Sequence, residues 1–186
     1  FKFGTEALFS LVSEQACQRE SVNKNFHSLD TTSYSLTGQY QAEQQDEDEP
    51  TAIHITHGYS KDHRSDLKQV VQEMIVSQDG GIPLACKAWD GNASDNKIFA
   101  QRTKALVSSF QSSDMPECLV ADSKLYHQKN AEFLAQLSFL TRIPSTNKEE
   151  QQQITQALNK NQWQIIDDNY KYVIVQLEHM GIEQRW

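Results

Sequence analysis

The sequence predicts an α/β chain, a mixed sheet with flanking helices, and three observations carry that expectation. Gln69 to Asp90 reads as two strands around an Asp79-Gly80-Gly81 turn. Cys118 to Ala121, CLVA, is a short continuous apolar run, as a strand covered on both faces would be. Helical stripes alternate with the strand candidates on either side of that run, the pattern of crossover connections.

The elements follow in order. Thr5 to Cys17 places Ala7, Leu8, Leu11, Val12 and Ala16 on one helical stripe, with Phe9 added to it and Thr5 as the cap. Phe26 to Tyr40 alternates with period two and reads as a strand that turns near Gly38. Phe26, Ser28, Asp30 and Thr32 point one way, and His27, Leu29 and Thr31 the other. Ala52 to Thr56, AIHIT, is a short strand candidate. In the 69–90 segment the Asp-Gly dipeptide favours a tight hairpin, and Pro83 suits the first position of the second strand. Ser94 to Phe110 is helical, with Ser94 or Asp95 as cap. CLVA follows, then a helix over His127 to Leu137 and a strand, FLTRI, over Phe139 to Ile143. Lys148 to Asn161 is a polar helix with a narrow stripe at Ile154, Ala157 and Leu158, and Tyr170 to Leu177 is a last strand. The order strand, strand, strand, helix, strand, helix, strand is that of the ribonuclease-H-like fold.

Two acids stand out against this background. Asp30 interrupts a β-rich run, where Asp is disfavoured. Asp122 follows CLVA, at the carboxyl end of a buried strand, where open α/β sheets bind ligands. In this topology both strands lie in mid-sheet. Two adjacent carboxylates repel unless a cation sits between them, and hard oxygen ligands suit Mg²⁺ or Mn²⁺. From spacing alone, capping a turn or a helix is the commoner role for each Asp.

Several separated segments add to this reading: FHSLDTTSYSLTGQY, ITHGYSKDHRSDLKQVV, VSQDGGIPL, WDGNASDNKIF and LVADSKLY. In this order they resemble the catalytic domain of bacterial insertion-sequence DDE transposases, in the broad insertion-sequence-four superfamily and nearest its sixteen-thirty-four branch. The resemblance runs from about Phe26 to Trp186. It implies metal-dependent DNA cleavage and strand transfer, with Asp30 and Asp122 as the first two catalytic acids and as the ligands of Mg²⁺ or Mn²⁺. It implies DNA as partner, both transposon ends and target, and association with full-length transposase. Lys61, Arg64, Asn92, Lys124 and Tyr126 are the implied DNA neighbours. The family's third acid is a Glu on a later helix near Tyr, Arg and Lys. No such stretch occurs here, although Glu149, Glu150, Glu178 and Glu183 are present. The expectation is a catalytic-domain fragment truncated before the third acid. A non-catalytic remnant and another ribonuclease-H-like nuclease are the alternatives.

The expected organisation is a helical lead-in over 1–25, a catalytic core over 26–144 with an acidic loop at 41–50, and the start of an inserted helix and strand region over 145–186. Net charge is -8, from 17 Lys and Arg against 25 Asp and Glu, which on its face argues against nucleic acid. Five of those acids, however, fall between Gln41 and Pro50, so the total says little about any one face. That loop is expected to be solvated. No run approaches the ~18 apolar residues of a membrane span, and no secretory leader is visible. Cys17, Cys86 and Cys118 are odd in number and far apart, as reduced thiols of a cytoplasmic protein are; the resemblance implies a bacterial, nucleoid-associated one. His54, His57 and His63 with Asp62 and Asp66 match no zinc spacing and read as a polar loop, and the three tryptophans read as core.

Overall fold

A computed structural model describes residues 4–40, 53–94, 98, 100–102 and 117–186. The expected acidic loop at 41–50, and most of the helix expected over Ser94 to Phe110, lie outside them. Ile98 and residues 100–102 are helical.

Helix α1 spans Gly4–Arg19, strand β1 Phe26–Leu36, β2 Lys68–Ser77, β3 Pro83–Trp89 and β4 Cys118–Ala121. A 3-10 turn over Gln128–Asn130 leads into α2, Ala131–Leu134, and β5 covers Phe139–Thr141. The five strands form one sheet in the order β3-β2-β1-β4-β5. The β1, β2 and β3 neighbours are antiparallel, whereas β4 lies parallel to both β1 and β5. This is the mixed α/β, ribonuclease-H-like arrangement that the element order predicts.

The β2–β3 turn forms as its glycines require: Gly80 and Gly81 hold φ of +71° and +62°, which a Cβ would strain. The Ser77 hydroxyl donates to Asp79 O at 2.6 Å and accepts from Ile82 N at 3.0 Å, closing the hairpin. Period-two alternation holds along β1 and β2. Cross-strand partners Leu29 and Ile75, Thr31 and Glu73, and Ser33 and Val71 share the buried face. The apolar centre of that face is Leu29, Ile75, Leu119, Leu125 and Leu134, with Phe139 and Ile182 packed against it. Beyond it lies Glu73, 1% exposed, paired with Arg102 and accepting from Trp89 Nε1 at 2.9 Å.

Several sequence expectations need correction. Helix α1 turns Ser13 and Cys17 inward and leaves Leu8, Leu11 and Val12 at least half exposed. It packs on β3, and the Lys87–Glu6 pair at 3.3 Å joins the two. The helix assignment also takes in Thr5, which is therefore not the residue outside it. The described part of AIHIT supplies one isolated bridge, Thr56 to Gln69, rather than a strand. CLVA is a strand, yet only Leu119 is fully buried. The helix expected over His127 to Leu137 is reduced to one turn at α2 because the chain must return to pair β5 with β4. Helix α3, Lys148–Lys160, starts on Asn147, whose side chain accepts from Glu149 N, and stops at Asn161 with φ of +50°. It buries Ala157, but Ile154 and Leu158 are exposed.

The strand expected over Tyr170 to Leu177 is divided between two small hairpins. One pairs β6, Gln164–Ile165, with β7, Lys171–Tyr172; the other pairs β8, Gln176–His179, with β9, Ile182–Arg185. Their turns carry the break: Asp167 Oδ1 accepts from Asn169 N and Tyr170 N, while Met180 and Gly181 both take positive φ. The three tryptophans are half-buried, not core. The three cysteines are free thiols; Cys17 is buried and the other two are half-buried. Among the described residues, no helix is long and apolar enough to cross a membrane.

Candidate active site

Strand β1 runs further than β4. Their parallel pairing ends at Leu29 and Ala121, so Asp30 and Asp122 are the residues that follow the last pair, at the point where β4 stops. Pleat alternation sends the Asp30 side chain to the face opposite Leu29, while Asp122 is the first residue of the turn after β4. Both residues are exposed. Each carboxylate is oriented by a backbone donor: Asp30 Oδ1 accepts from Thr31 N at 2.7 Å, and Asp122 Oδ1 from Lys124 N at 2.9 Å. The Asp122 carbonyl accepts from the Thr141 hydroxyl at 2.6 Å and from Leu125 N at 3.1 Å, which ties the residue to β5 and to its own turn.

Two lysines flank the acids. Lys61 Nζ donates to the Thr31 carbonyl and, at 3.1 Å, to its hydroxyl, just past the end of β4. Lys124 is half-buried. Burial holds its ammonium below the usual lysine range, repulsion from Lys61 adds to that, and the Asp30 carboxylate opposes it. Asp30, Lys61 and Lys124 therefore lie within one local field. Beside them opens a cleft of about 240 Å³, lined by Ser33, Tyr59, Lys61, Ser94 and Lys124 over Val71.

The loop that delivers Tyr59 and Lys61 is held by close backbone packing. Gln69, 1% exposed on β2, donates from Nε2 to Gly91 O at 2.7 Å and to Tyr59 O at 3.2 Å. Gly91 N donates to His54 O at 2.9 Å, and His54 N to Asp90 Oδ1 at 2.9 Å. A Cβ on Gly58 would fall 2.0 Å from Gly91 O, and one on Gly91 2.0 Å from Gln69 O. The Gly-Tyr-Ser and Asp-Gly-Asn segments of the sequence are thus two halves of one interlock.

The remaining sequence candidates are placed differently. Asn92 is exposed beside this interlock. Arg64 is engaged by Asp66 in a bidentate pair at 2.9 and 2.8 Å, which holds the Asp66 carboxyl down at about 2. Tyr126 is buried, 7% exposed, so its ring is not presented to a nucleic acid. Its hydroxyl donates to Gln184 Oε1 at 2.8 Å and lies 2.6 Å from His179 Nδ1. Among the described residues, no three His, Cys, Asp or Glu side chains gather into a metal cluster, the 54–66 segment included. Sequence reasoning passed over Tyr59, Ser33 and Gln69. The signal available for Tyr59 was its place between Gly58 and the SKDHR segment.

The donor set fits a hard divalent cation: two exposed carboxylates, each with one oxygen anchored by a backbone N–H, one within β1 and one just past the end of β4. No protein-family model and no curated protein matches the chain. Among solved structures, it is similar to the Mos1 transposase paired-end complex with left transposon end, at 10% identity and a TM-score of 0.38, covering 77% of this chain and 42% of that one. It is also similar to the Mos1 mariner paired-end complex with Mn, at 9% identity and a TM-score of 0.36, covering 83% and 54% respectively. The chain thus spans about half the length of each.

Proposed function

We propose that this chain is a DDE-transposase catalytic-domain segment of the insertion-sequence kind that acts on DNA with Mg²⁺ or Mn²⁺ held by Asp30 and Asp122. The observation that carries the reading is the juxtaposition of these two exposed acids, one register step beyond the Leu29–Ala121 pair. The resemblance of the segments around both acids supports the choice of DNA as substrate. A divalent cation there supplies Lewis-acid stabilisation of phosphodiester oxygens. The chain's own residues do the rest. Asp30 and Asp122 present oriented oxygens, and Lys61 and Lys124 place positive charge where a phosphate backbone approaches. Asn92 stands at the rim as a polar contact, and Arg64 reaches DNA only by giving up Asp66.

One observation favours a second reading. Among the described residues no third carboxylate joins the pair, and Glu149 is engaged by His179 at 3.2 Å. A non-catalytic segment that binds DNA or a full-length transposase retains the two acids without completing the chemistry.

The test is thermal melting with Mn²⁺ titrated into wild type, Asp30→Asn and Asp122→Asn, followed by nicking of a labelled DNA duplex. A Mn²⁺-dependent rise that both substitutions abolish is expected. It should be small, about 0.4 kcal/mol when the metal is near its Kd. A rise that survives both substitutions places the cation elsewhere and sinks the reading. Metal binding without nicking selects the non-catalytic form.

A further inference from the structure

The cleft past the end of β4 has features that the pairing of two acids does not require. Its floor is Ser33 and Val71, cross-strand partners on the otherwise buried face. Its two cations, Lys61 and Lys124, stand close enough to repel each other. Its rim is Tyr59, 84% exposed even though its backbone is pinned through Gln69. A rigidly mounted backbone beneath a ring turned to solvent is the arrangement of a stacking platform, since every base has a π-face to offer. Paired ammonium groups beside it suit a backbone phosphate. About 240 Å³ is room enough for one base or one sugar-phosphate link.

We propose that this cleft is a subsite for a single unpaired nucleotide of a DNA strand, with Tyr59 stacking on its base and Lys61 and Lys124 taking its phosphate. This rests on the reading of the chain as a DNA-acting domain and deepens it by naming the substrate form, an unpaired strand, and a positioning residue, Tyr59. Lys124 also feels the Asp30 charge, although the floor of the subsite belongs to the Leu29 face of the sheet and Asp30 to the other.

The experiment is fluorescence anisotropy of a labelled single-stranded oligonucleotide, and of the same sequence as a blunt duplex, in EDTA. Metal chelation removes any contribution from cation binding at Asp30 and Asp122. Tyr59→Ala should weaken single-strand binding about tenfold, whereas Tyr59→Phe stays within about twofold of wild type. Lys124→Gln should reduce the slope of log K against log salt by about 0.7. Duplex affinity should be unchanged in Tyr59→Ala. The exposed ring makes misfolding of that variant unexpected, and Tyr59→Leu, equally unable to stack well, provides an independent second reading. Unchanged single-strand affinity in both variants, or an equal loss for strand and duplex, overturns the subsite and leaves the metal reading standing. Wild type that binds neither form in EDTA overturns the subsite, and the Mn²⁺ melting and nicking assays then decide the metal reading separately.

Discussion

Glu73 is the residue whose surroundings are most demanding. It is 1% exposed in mid-sheet, and burial of a carboxylate is costly unless its oxygens are paired. Arg102 supplies one partner and Trp89 Nε1 the other. The pair therefore fastens the helical residues after β3 to β2. Arg102→Met is expected to cost about 3–5 kcal/mol by leaving Glu73 buried without its cation. Adding Glu73→Gln should recover much of that, because a neutral amide still accepts from Trp89. Urea unfolding of the two variants checks this. A loss below about 1 kcal/mol for Arg102→Met would show that the pair is not what holds the contact.

At the scale of elements, the 53–60 loop and the turn after β3 determine where the cleft lies. Their contact depends on two residues without side chains. A methyl group on Gly91 meets the Gln69 carbonyl at 2.0 Å and that of Thr56 at 2.4 Å, so the backbones must separate. Gly91→Ala is expected to destabilise by about 2–3 kcal/mol, as overpacking does. It should also displace Tyr59 and Lys61, since both ride on the loop that Gln69 holds. Thermal melting measures the first effect. The second appears as weaker oligonucleotide binding in Gly91→Ala at a temperature where the variant is fully folded. Retained affinity there shows that the interlock does not set the cleft.

Across the whole molecule, the 176–186 hairpin is joined to the core through Tyr126. The Tyr126 O–H donates to Gln184 Oε1, which also accepts from Trp186 Nε1 at 2.8 Å. The phenol oxygen also lies 2.6 Å from His179 Nδ1, while His179 Nε2 faces Glu149 on α3 at 3.2 Å. Tyr126 and His179 stack with ring centroids 5.6 Å apart. Burial pushes the phenol from its usual 10.0 up to about 12, and the Glu149 charge adds to that. The folded state thus holds this proton more tightly than the unfolded chain does. Its stabilising contribution is complete below pH 10 and is lost as pH rises through about 12. Phenolate absorbance in an alkaline titration should show one late tyrosine that is missing in Tyr126→Phe. If the variant titrates like wild type, the hydroxyl is not protected.

Much of this protein is readable in the order of its residues because the signals concerned are local. Alternation around Leu29 and Thr31, the Asp79-Gly80-Gly81 turn, and the apolar brevity of CLVA depend on backbone preference and on which side chains avoid water. They suffice for the strands, the hairpin, and the prominence of Asp30 and Asp122. Which face of α1 is buried could not be read the same way, because Ser13 and Cys17 owe their burial to β3 and not to their own hydrophobicity. Tyr126 is likewise withdrawn from solvent by a hairpin more than fifty residues later in the chain. The placement of the two acids after one strand pair rests on a parallel register between distant strands, and the cleft rests on glycines that let two loops touch. Those are non-local contacts. Their free energy arises only once the sheet has assembled, so tertiary structure alone decides them.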